Sequence, residues 1–230
     1  MQRNRVAEVM DDEALGVPLH EHALRGLARI NALSFAARRF WKPISEYARA
    51  AGKTFHVLDL ATGGGDVLLA LAERARREHV RIKFSGCDKS AAALNFASRA
   101  AAAKKLHVEF FPLDILAEHI PAGYDMVINS LFLHHFDPDN VVAILAKMRA
   151  AADCVLVSDL RRSRAGLVLA HVATRLLSRS PVVHIDGPRS VQAAYSIPEM
   201  RQLAERAGLH VSRLELKWPC RMMLQWTRPK

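Results

Sequence analysis

Cysteine is scarce in this 230-residue chain, and its three copies, Cys87, Cys154 and Cys220, stand far apart with no CxxC pair among them. That spacing excludes a disulfide framework and a thiolate zinc site. Cys87 and Cys154 lie in apolar, strand-like runs, where a cysteine behaves as a small hydrophobe, so a reducing, cytoplasmic setting fits. Long apolar runs are missing as well. The longest one after Arg164 covers residues 165–173, and His171 interrupts it far short of a bilayer's thickness. The N-terminal region carries Asp11, Asp12 and Glu13 and no continuous apolar segment, so neither a secretory signal nor a membrane span is expected. No Pro/Gly/Ser-rich linker divides the sequence, which reads as one domain over residues 1–230. Acidic residues are in deficit: 33 Lys and Arg against 23 Asp and Glu leave a net charge of +10. Long basic blocks are absent too, and scattered single or paired charges favour a solvated surface over a nucleic-acid footprint. No His/Asp/Glu cluster has metal-ligand spacing, so no metal is expected.

What is present is apolar patterning. Hydrophobic residues make up 50% of the chain, enough for a sizeable core. Residues 20–51 are helical in pattern, with Leu24, Leu27, Ile30, Leu33 and Phe40 at helical spacing and Pro43 and Gly52 as punctuation. Strand-like runs then alternate with helical ones. Residues 55–60, 80–88, 106–111, 124–129 and 154–159 read as strands, and 67–77, 91–104 and 140–151 as helices. Such alternation implies βαβ crossovers, a parallel sheet and helices on both faces. The last third breaks the rhythm: one or two helices over residues 161–179, a loop holding His184, Asp186, Gly187 and Pro188, a helix over 198–207 ending at Gly208, and strands over 210–217 and 221–227.

The most informative stretch is Val57-Leu58-Asp59-Leu60-Ala61-Thr62-Gly63-Gly64-Gly65-Asp66. A strand that feeds a glycine-rich turn and then a helix brings backbone close to a ligand, although an ordinary tight βα turn has the same look. Asp59, just before the turn, can face a cationic ligand. Asp88 ends the next strand, where a carboxylate can accept from two ribose hydroxyls or merely cap a helix. The dinucleotide fingerprint fails, because Leu68 stands where its third small residue belongs.

In this order the segments resemble the class I S-adenosylmethionine-dependent methyltransferases, of the small-molecule or quinone-type kind. Asp59-x-Ala61-x-Gly63-x-Gly65 is similar to the family's acidic-x-Gly-x-Gly-x-Gly motif, with Ala61 in place of the first glycine. Pro112-Leu113-Asp114-Ile115 resembles the adenine-flanking segment. Residues Tyr124 to Ser130 resemble the fourth-strand motif, and Leu133-His134-His135 the Leu-His-His run that follows it. The likeness covers residues 55–160. It implies an α/β, Rossmann-like, seven-stranded and mostly parallel sheet with helices on both faces. An N-terminal helical cap (1–52), a cofactor core (53–160), a helical lid (161–196) and a closing helix with two strands (197–230) would complete it. It implies S-adenosylmethionine as cofactor and S-adenosylhomocysteine as product. Ala61, Thr62 and Gly63 would border the methionine half, Asp88 would bind the ribose and Asp114 would accept from the adenine amine, with Asp59, Gly65, Lys89, Ile115, Asn129 and Ser130 completing the expected cofactor-binding set.

The acceptor site would then lie among residues 20–45, 130–136 and 161–196. A small phenolic, quinone-like or polyketide-derived acceptor of secondary metabolism is expected, methylated on oxygen or, alternatively, on carbon. An RNA-binding or RNA-modifying protein is the reading from another class, and a homodimer is allowed. An oxygen nucleophile calls for a base. His135 is one candidate; His184, oriented by Asp186, is the other, although His-x-Asp before Gly187-Pro188 is also ordinary turn chemistry.

Overall fold

The computed structural model describes every residue except Glu13, Val211, Ser212 and Lys230. Two of these, Val211 and Ser212, fall in the expected strand over 210–217, whose described part begins at Arg213. Five strands, β1 (Phe55–Leu60), β2 (Ile82–Asp88), β3 (Val108–Pro112), β4 (Met126–Ser130) and β5 (Cys154–Leu160), run parallel. The strands β6 (Arg213–Lys217) and β7 (Arg221–Thr227) close one edge antiparallel, giving the order β3-β2-β1-β4-β5-β7-β6. The order reverses between β1 and β4, and in open α/β sheets ligands bind outside the carboxyl ends of the strands at that switch.

Alternation along the central strands sends successive side chains to opposite cores. Leu58, Leu60, Val127, Val155 and Val157 face one cluster; Val57, Met126, Ile128 and Leu156 face the other. The first packs on α5 (Pro138–Ala151) and α8 (Ile197–Arg206), through Ile144, Met148, Met200 and Leu203. The second packs on α2 (Ala36–Ala50) and α3 (Asp66–Arg77), through Phe40, Ile44, Leu68 and Leu71. With helices on both faces, strands this apolar are what a parallel sheet requires. The helix α4 (Ala91–Ala103) is capped by Ser90, whose hydroxyl accepts from the Ala93 amide.

Three details depart from the sequence expectation. Pro43 lies inside α2, and the break between α1 (Val17–Leu33) and α2 falls at Phe35, in left-handed conformation at φ 58°. The segment around His184 is no loop: α6 (Arg164–Leu177) is followed by α7 (Pro181–Ala193), which contains Gly187 and Pro188. Gly187 serves helix packing, since a Cβ there would stand 2.4 Å from Thr174 Cγ2 on α6. Gly26 does the same for α1, where a Cβ would meet Ser178 Oγ at 2.2 Å. Glycine and proline looked like turn signals; the close approach of α1, α6 and α7 is what they permit.

Candidate active site

The turn after β1 is held in a shape few side chains tolerate: Ala61, Gly63 and Gly65 all have positive φ, at 55°, 54° and 73°. Thr62 ties it to β2 through its amide, which donates to the Cys87 carbonyl at 2.9 Å. The Gly63 amide donates to Asp88 Oδ2 and the Ser90 amide to Asp88 Oδ1, both at 2.9 Å. Asp88 thus caps the next segment and braces the glycine turn at once, while its half-buried carboxylate keeps lone pairs for a further donor. Leu24 of α1 lies over the turn, its Cδ2 3.4 Å from where a Cβ on Gly64 would be.

Asp59 is buried beneath this turn. Its Oδ2 accepts from the Thr62 hydroxyl at 2.7 Å, and Oδ1 has no partner. Burial pushes its pKa up to about 7; the Thr62 hydroxyl opposes that, and the neighbouring Asp66 and Asp88 carboxylates add to it. Along the same strand ends, Asn129 spends its Nδ2 on the Leu60 carbonyl at 2.7 Å and leaves Oδ1 unpartnered, as are the buried hydroxyls of Ser130 and Ser158. Each such group costs about 1–3 kcal/mol if it stays unsatisfied. A row of them at the switch point, beside an open carboxylate and a glycine cradle, suits a polar ligand carrying positive charge.

The adenine-side expectations divide. Asp114 is exposed after β3, where its Oδ1 accepts from the Leu116 amide at 2.9 Å. Ile115 packs into the core beside Leu113 and supports the segment from below. Lys147 holds that segment, donating to the carbonyls of Ile115 and Glu118 at 2.5 and 2.8 Å. Lys89 is exposed next to Asp88.

A second polar cluster forms where β4 leads into a 3-10 turn, Leu133–His135. Asp159, buried near the end of β5, binds His134 Nδ1 through Oδ1 at 2.6 Å and accepts from the His134 amide at 3.2 Å. Burial alone would strip His134 of its proton, but Asp159 and Glu8 outweigh it and hold its pKa at about 10. Asp159 answers in kind: burial works to raise its pKa, and the His134 charge holds it below the ordinary range. His135 binds Asp11 Oδ2 through Nδ1 at 2.8 Å, and the two imidazole rings lie 4.4 Å apart. Glu8 approaches both rings from the N-terminal segment.

That segment is tied down along its length. Arg3 donates to the carbonyls of Ala193 and Phe136 at 2.6 and 2.8 Å, and Arg5 forks onto Asp137. Asp186 belongs to this tether: its two oxygens accept from the amides of Val9 and Met10 at 2.9 and 3.0 Å. His184, two residues earlier on α7, bonds through Nε2 to the Ser178 carbonyl at 2.8 Å. The expected His184–Asp186 pair is therefore not formed, because residues two apart on a helix point in different directions. His135 is the expected catalytic side chain that the fold does bring to the polar cluster.

Sequence reasoning missed Glu8, Asp11, Asp159 and Arg221. Asp159 had a visible signal, an acid at the end of an otherwise apolar strand. Arg221 is fully enclosed, with Nη2 on Asn31 Oδ1 and Ser34 Oγ at 3.3 and 3.1 Å, and burial and Arg39 lower its pKa to about 10 against Asp159 and Asp66. No signal in the chain marks Glu8 or Asp11.

Among known proteins, residues 57–153 match the family model described as a methyltransferase domain. Comparison with curated proteins by sequence finds no match. Among solved structures, an O-methyltransferase from neocarzinostatin biosynthesis, NcsB1, in complex with S-adenosylhomocysteine and 1,4-dihydroxy-2-naphthoic acid, is similar at 20% identity and TM-score 0.66, over 92% of this chain and 59% of that one. The methyltransferase SibL is similar at 20% identity and TM-score 0.65, over 99% and 64%. The plantazolicin methyltransferase BpumL, bound to S-adenosylhomocysteine, is similar at 15% identity and TM-score 0.69, over 96% and 93%. The chain thus spans less than two thirds of NcsB1 and SibL but most of BpumL. The motif-bearing strand, turn and helix thus lie in a segment similar to a methyltransferase domain, and the fold around them is similar to the folds of these methyltransferases.

Proposed function

We propose that the protein methylates a hydroxyl oxygen of a small aromatic acceptor, a phenolic, quinone-like or polyketide-derived compound of secondary metabolism. The observation that carries this reading is the Glu8–His134–His135 cluster beside the loop after β4, with His134 buried and the other two half-buried. A phenol's pKa is near 10, so an oxygen acceptor at neutral pH needs a site that favours its ionised form. The dihydroxynaphthoic acid bound in the NcsB1 complex is of the same chemical class.

S-adenosylmethionine, when held at the glycine turn, would supply an electrophilic methyl for transfer to the acceptor oxygen. The residues that would hold it are Ala61, Thr62, Gly63 and Gly65 around the methionine half and Asp88 at the ribose. Asp114 would serve the adenine amine, and Asp59, Asn129 and Ser130 carry the free polar atoms on the sheet side. The helices α6 and α7, with the N-terminal segment tied across them, act as the lid that keeps water from the acceptor. Gly26 and Gly187 let that lid seat closely on α1 and on itself.

The positive surface is read as solvated. Many of its arginines sit in exposed ion pairs, among them Arg5–Asp137, Arg206–Asp139 and Arg228–Asp153. Among the described residues no helix is long and apolar enough to cross a membrane.

The test is incubation with S-adenosylmethionine and a panel of phenols, naphthols and hydroxynaphthoic acids, with products resolved by mass and NMR. An O-methyl resonance on one class of acceptor supports the reading. A methyl on ring carbon, or turnover only with RNA, overturns it.

A further inference from the structure

Two histidines whose Nδ1 atoms are each held by a carboxylate present their other ring nitrogens to a third carboxylate. His134 Nδ1 lies 2.6 Å from Asp159 Oδ1, and His135 Nδ1 lies 2.8 Å from Asp11 Oδ2. Such bonds fix both rings and direct Nε2 inward, the arrangement that metal-ligating histidines almost always show. The inward atoms stand farther from what they face than the Nδ1 atoms do from theirs. His134 Nε2 stands 3.5 Å from Glu8 Oε1, and His135 Nε2 3.9 Å from Glu8 Oε2.

A simple ionic lock would close these gaps to about 2.7–2.9 Å, as the Nδ1 contacts do. Donor atoms around a small cation behave differently. With bonds of about 2.0–2.2 Å in tetrahedral geometry, neighbouring ligand atoms stand roughly 3.3 Å apart. Here one donor atom from each of Glu8, His134 and His135 lies within 4.8 Å of the others, so closing onto an ion needs shifts of an ångström or less. The site is enclosed: side-chain exposures are 12% for Glu8, 3% for His134 and 19% for His135. Ser190 Oγ hydrogen-bonds to Glu8 Oε1 and steadies the carboxylate from α7. Three carboxylates, Glu8, Asp11 and Asp159, surround two imidazoles, and a dication between them balances charge where burial makes imbalance expensive.

We propose that Glu8, His134 and His135 form a binding site for a first-row divalent cation of the zinc class, with Asp159 and Asp11 as the groups that orient the ligand imidazoles. Two nitrogens and a carboxylate oxygen suit such an ion, and three protein ligands leave a fourth position open. That open position deepens the acceptor reading above, on which this last step rests. A hydroxyl oxygen bound there loses its proton to water and keeps the bonding pair, which is how a Lewis acid prepares a phenolate at neutral pH.

The experiment is calorimetric titration of the chelator-treated chain with Zn²⁺, paired with the visible spectrum after Co²⁺ addition, in the absence of cofactor and acceptor. One equivalent per chain and a tetrahedral Co²⁺ spectrum are expected. Glu8→Gln and His135→Ala should each abolish the stoichiometric uptake, while His107→Ala, exposed elsewhere, keeps it. Asp11→Asn keeps all three ligands and alters only the partner that orients His135, and should weaken binding about 10–100-fold, the usual cost of losing an orienting partner. Circular dichroism establishes that each variant is folded. No stoichiometric uptake by the folded wild type, or uptake unchanged in both Glu8→Gln and His135→Ala, overturns the site. Failure here leaves the methyl-transfer reading standing, since neither methyl donor nor acceptor is in the cell. A zinc-loaded chain that methylates no hydroxyl would overturn that reading and leave the site untouched.

Discussion

At the cofactor end of the sheet the polar groups come from residues 57–66, Asp88 and the tip of β4, and most are backbone amides or uncharged side chains. At the acceptor end Glu8, Asp11, His134, His135 and Asp159 come from three distant parts of the chain, and all are ionisable. The first end is shaped by turn geometry and leaves atoms such as Asp59 Oδ1 and Asn129 Oδ1 without partners. At the second, partners are close and charged, with Asp159 and His134 2.6 Å apart in full burial. One end is a cradle with unpaired polar atoms; the other is a set of charged groups that depend on one another. Substitutions should therefore act mainly on binding at the first end and on turnover and stability at the second.

The largest effect is expected where the two candidate catalytic histidines are compared. His135→Ala removes a group from the acceptor cluster and should lower turnover by about 10²–10⁴-fold, the range for loss of proton-transfer assistance. His184→Ala removes only a bond to the Ser178 carbonyl and should leave turnover and cofactor affinity unchanged. Parallel assays with one accepted phenol decide it, and equal losses in both variants would merge the lid with the acceptor end.

Stability separates the two ends next. Asp159→Asn leaves the His134 charge buried without its main counter-charge, and breaking a buried pair costs about 3–5 kcal/mol. Asp59→Asn, at the other end, removes a buried carboxylate whose neighbours are the Thr62 hydroxyl and the Asp66 and Asp88 carboxylates. Urea unfolding at neutral pH should show a large loss for the first and none for the second. Similar losses in both would mean that the cofactor end is as interdependent as the acceptor end.

Legibility follows the same division. The glycine turn could be read because its chemistry is local: Gly63, Gly65, Asp59 and Asp88 sit at fixed offsets from two strands, and strands announce themselves by apolar runs. The strands were legible for the same reason, and the mostly parallel, seven-stranded sheet followed from the family resemblance. Glu8 could not be read, because the contact that matters joins residues 8 and 134 across the fold, and nothing in the local composition records it. Asp186 was misread because Gly187 and Pro188 signal a turn to any local rule. In the fold they lie within α7, where Thr174 of α6 needs the space. A close packing partner overrode a local preference.

Asp88 gives a middle-sized effect. Asp88→Ala should weaken S-adenosylhomocysteine binding by about 1.5–3 kcal/mol, the range for hydrogen bonds to a charged group. Asp88→Asn keeps an acceptor oxygen for the turn and should lose less. Calorimetry on the three proteins gives the ranking, and unchanged affinity in Asp88→Ala would remove the ribose assignment.

The smallest effect is also the sharpest test of the cradle, because it depends on charge at one atom. Asp59 has a pKa pushed up to about 7, so in the free protein it is partly protonated at neutral pH. A carboxyl whose folded pKa is raised contributes stability that is present below its ordinary value near 4 and is lost as pH rises through about 7. A bound sulfonium reverses that preference, since a cation beside the turn favours the ionised carboxylate. S-adenosylmethionine binding should therefore release up to one proton below pH 7, and its affinity should rise with pH by at most about tenfold per unit, levelling off above pH 8. S-adenosylhomocysteine, with a neutral thioether, should show little of this slope. Calorimetry in buffers of different ionisation enthalpy measures the proton directly. Asp59→Asn should flatten the pH profile for S-adenosylmethionine and bring the two ligands together. Equal slopes for both ligands in the wild type would show that Asp59 does not sense the sulfonium, and its open oxygen would then belong to the turn alone.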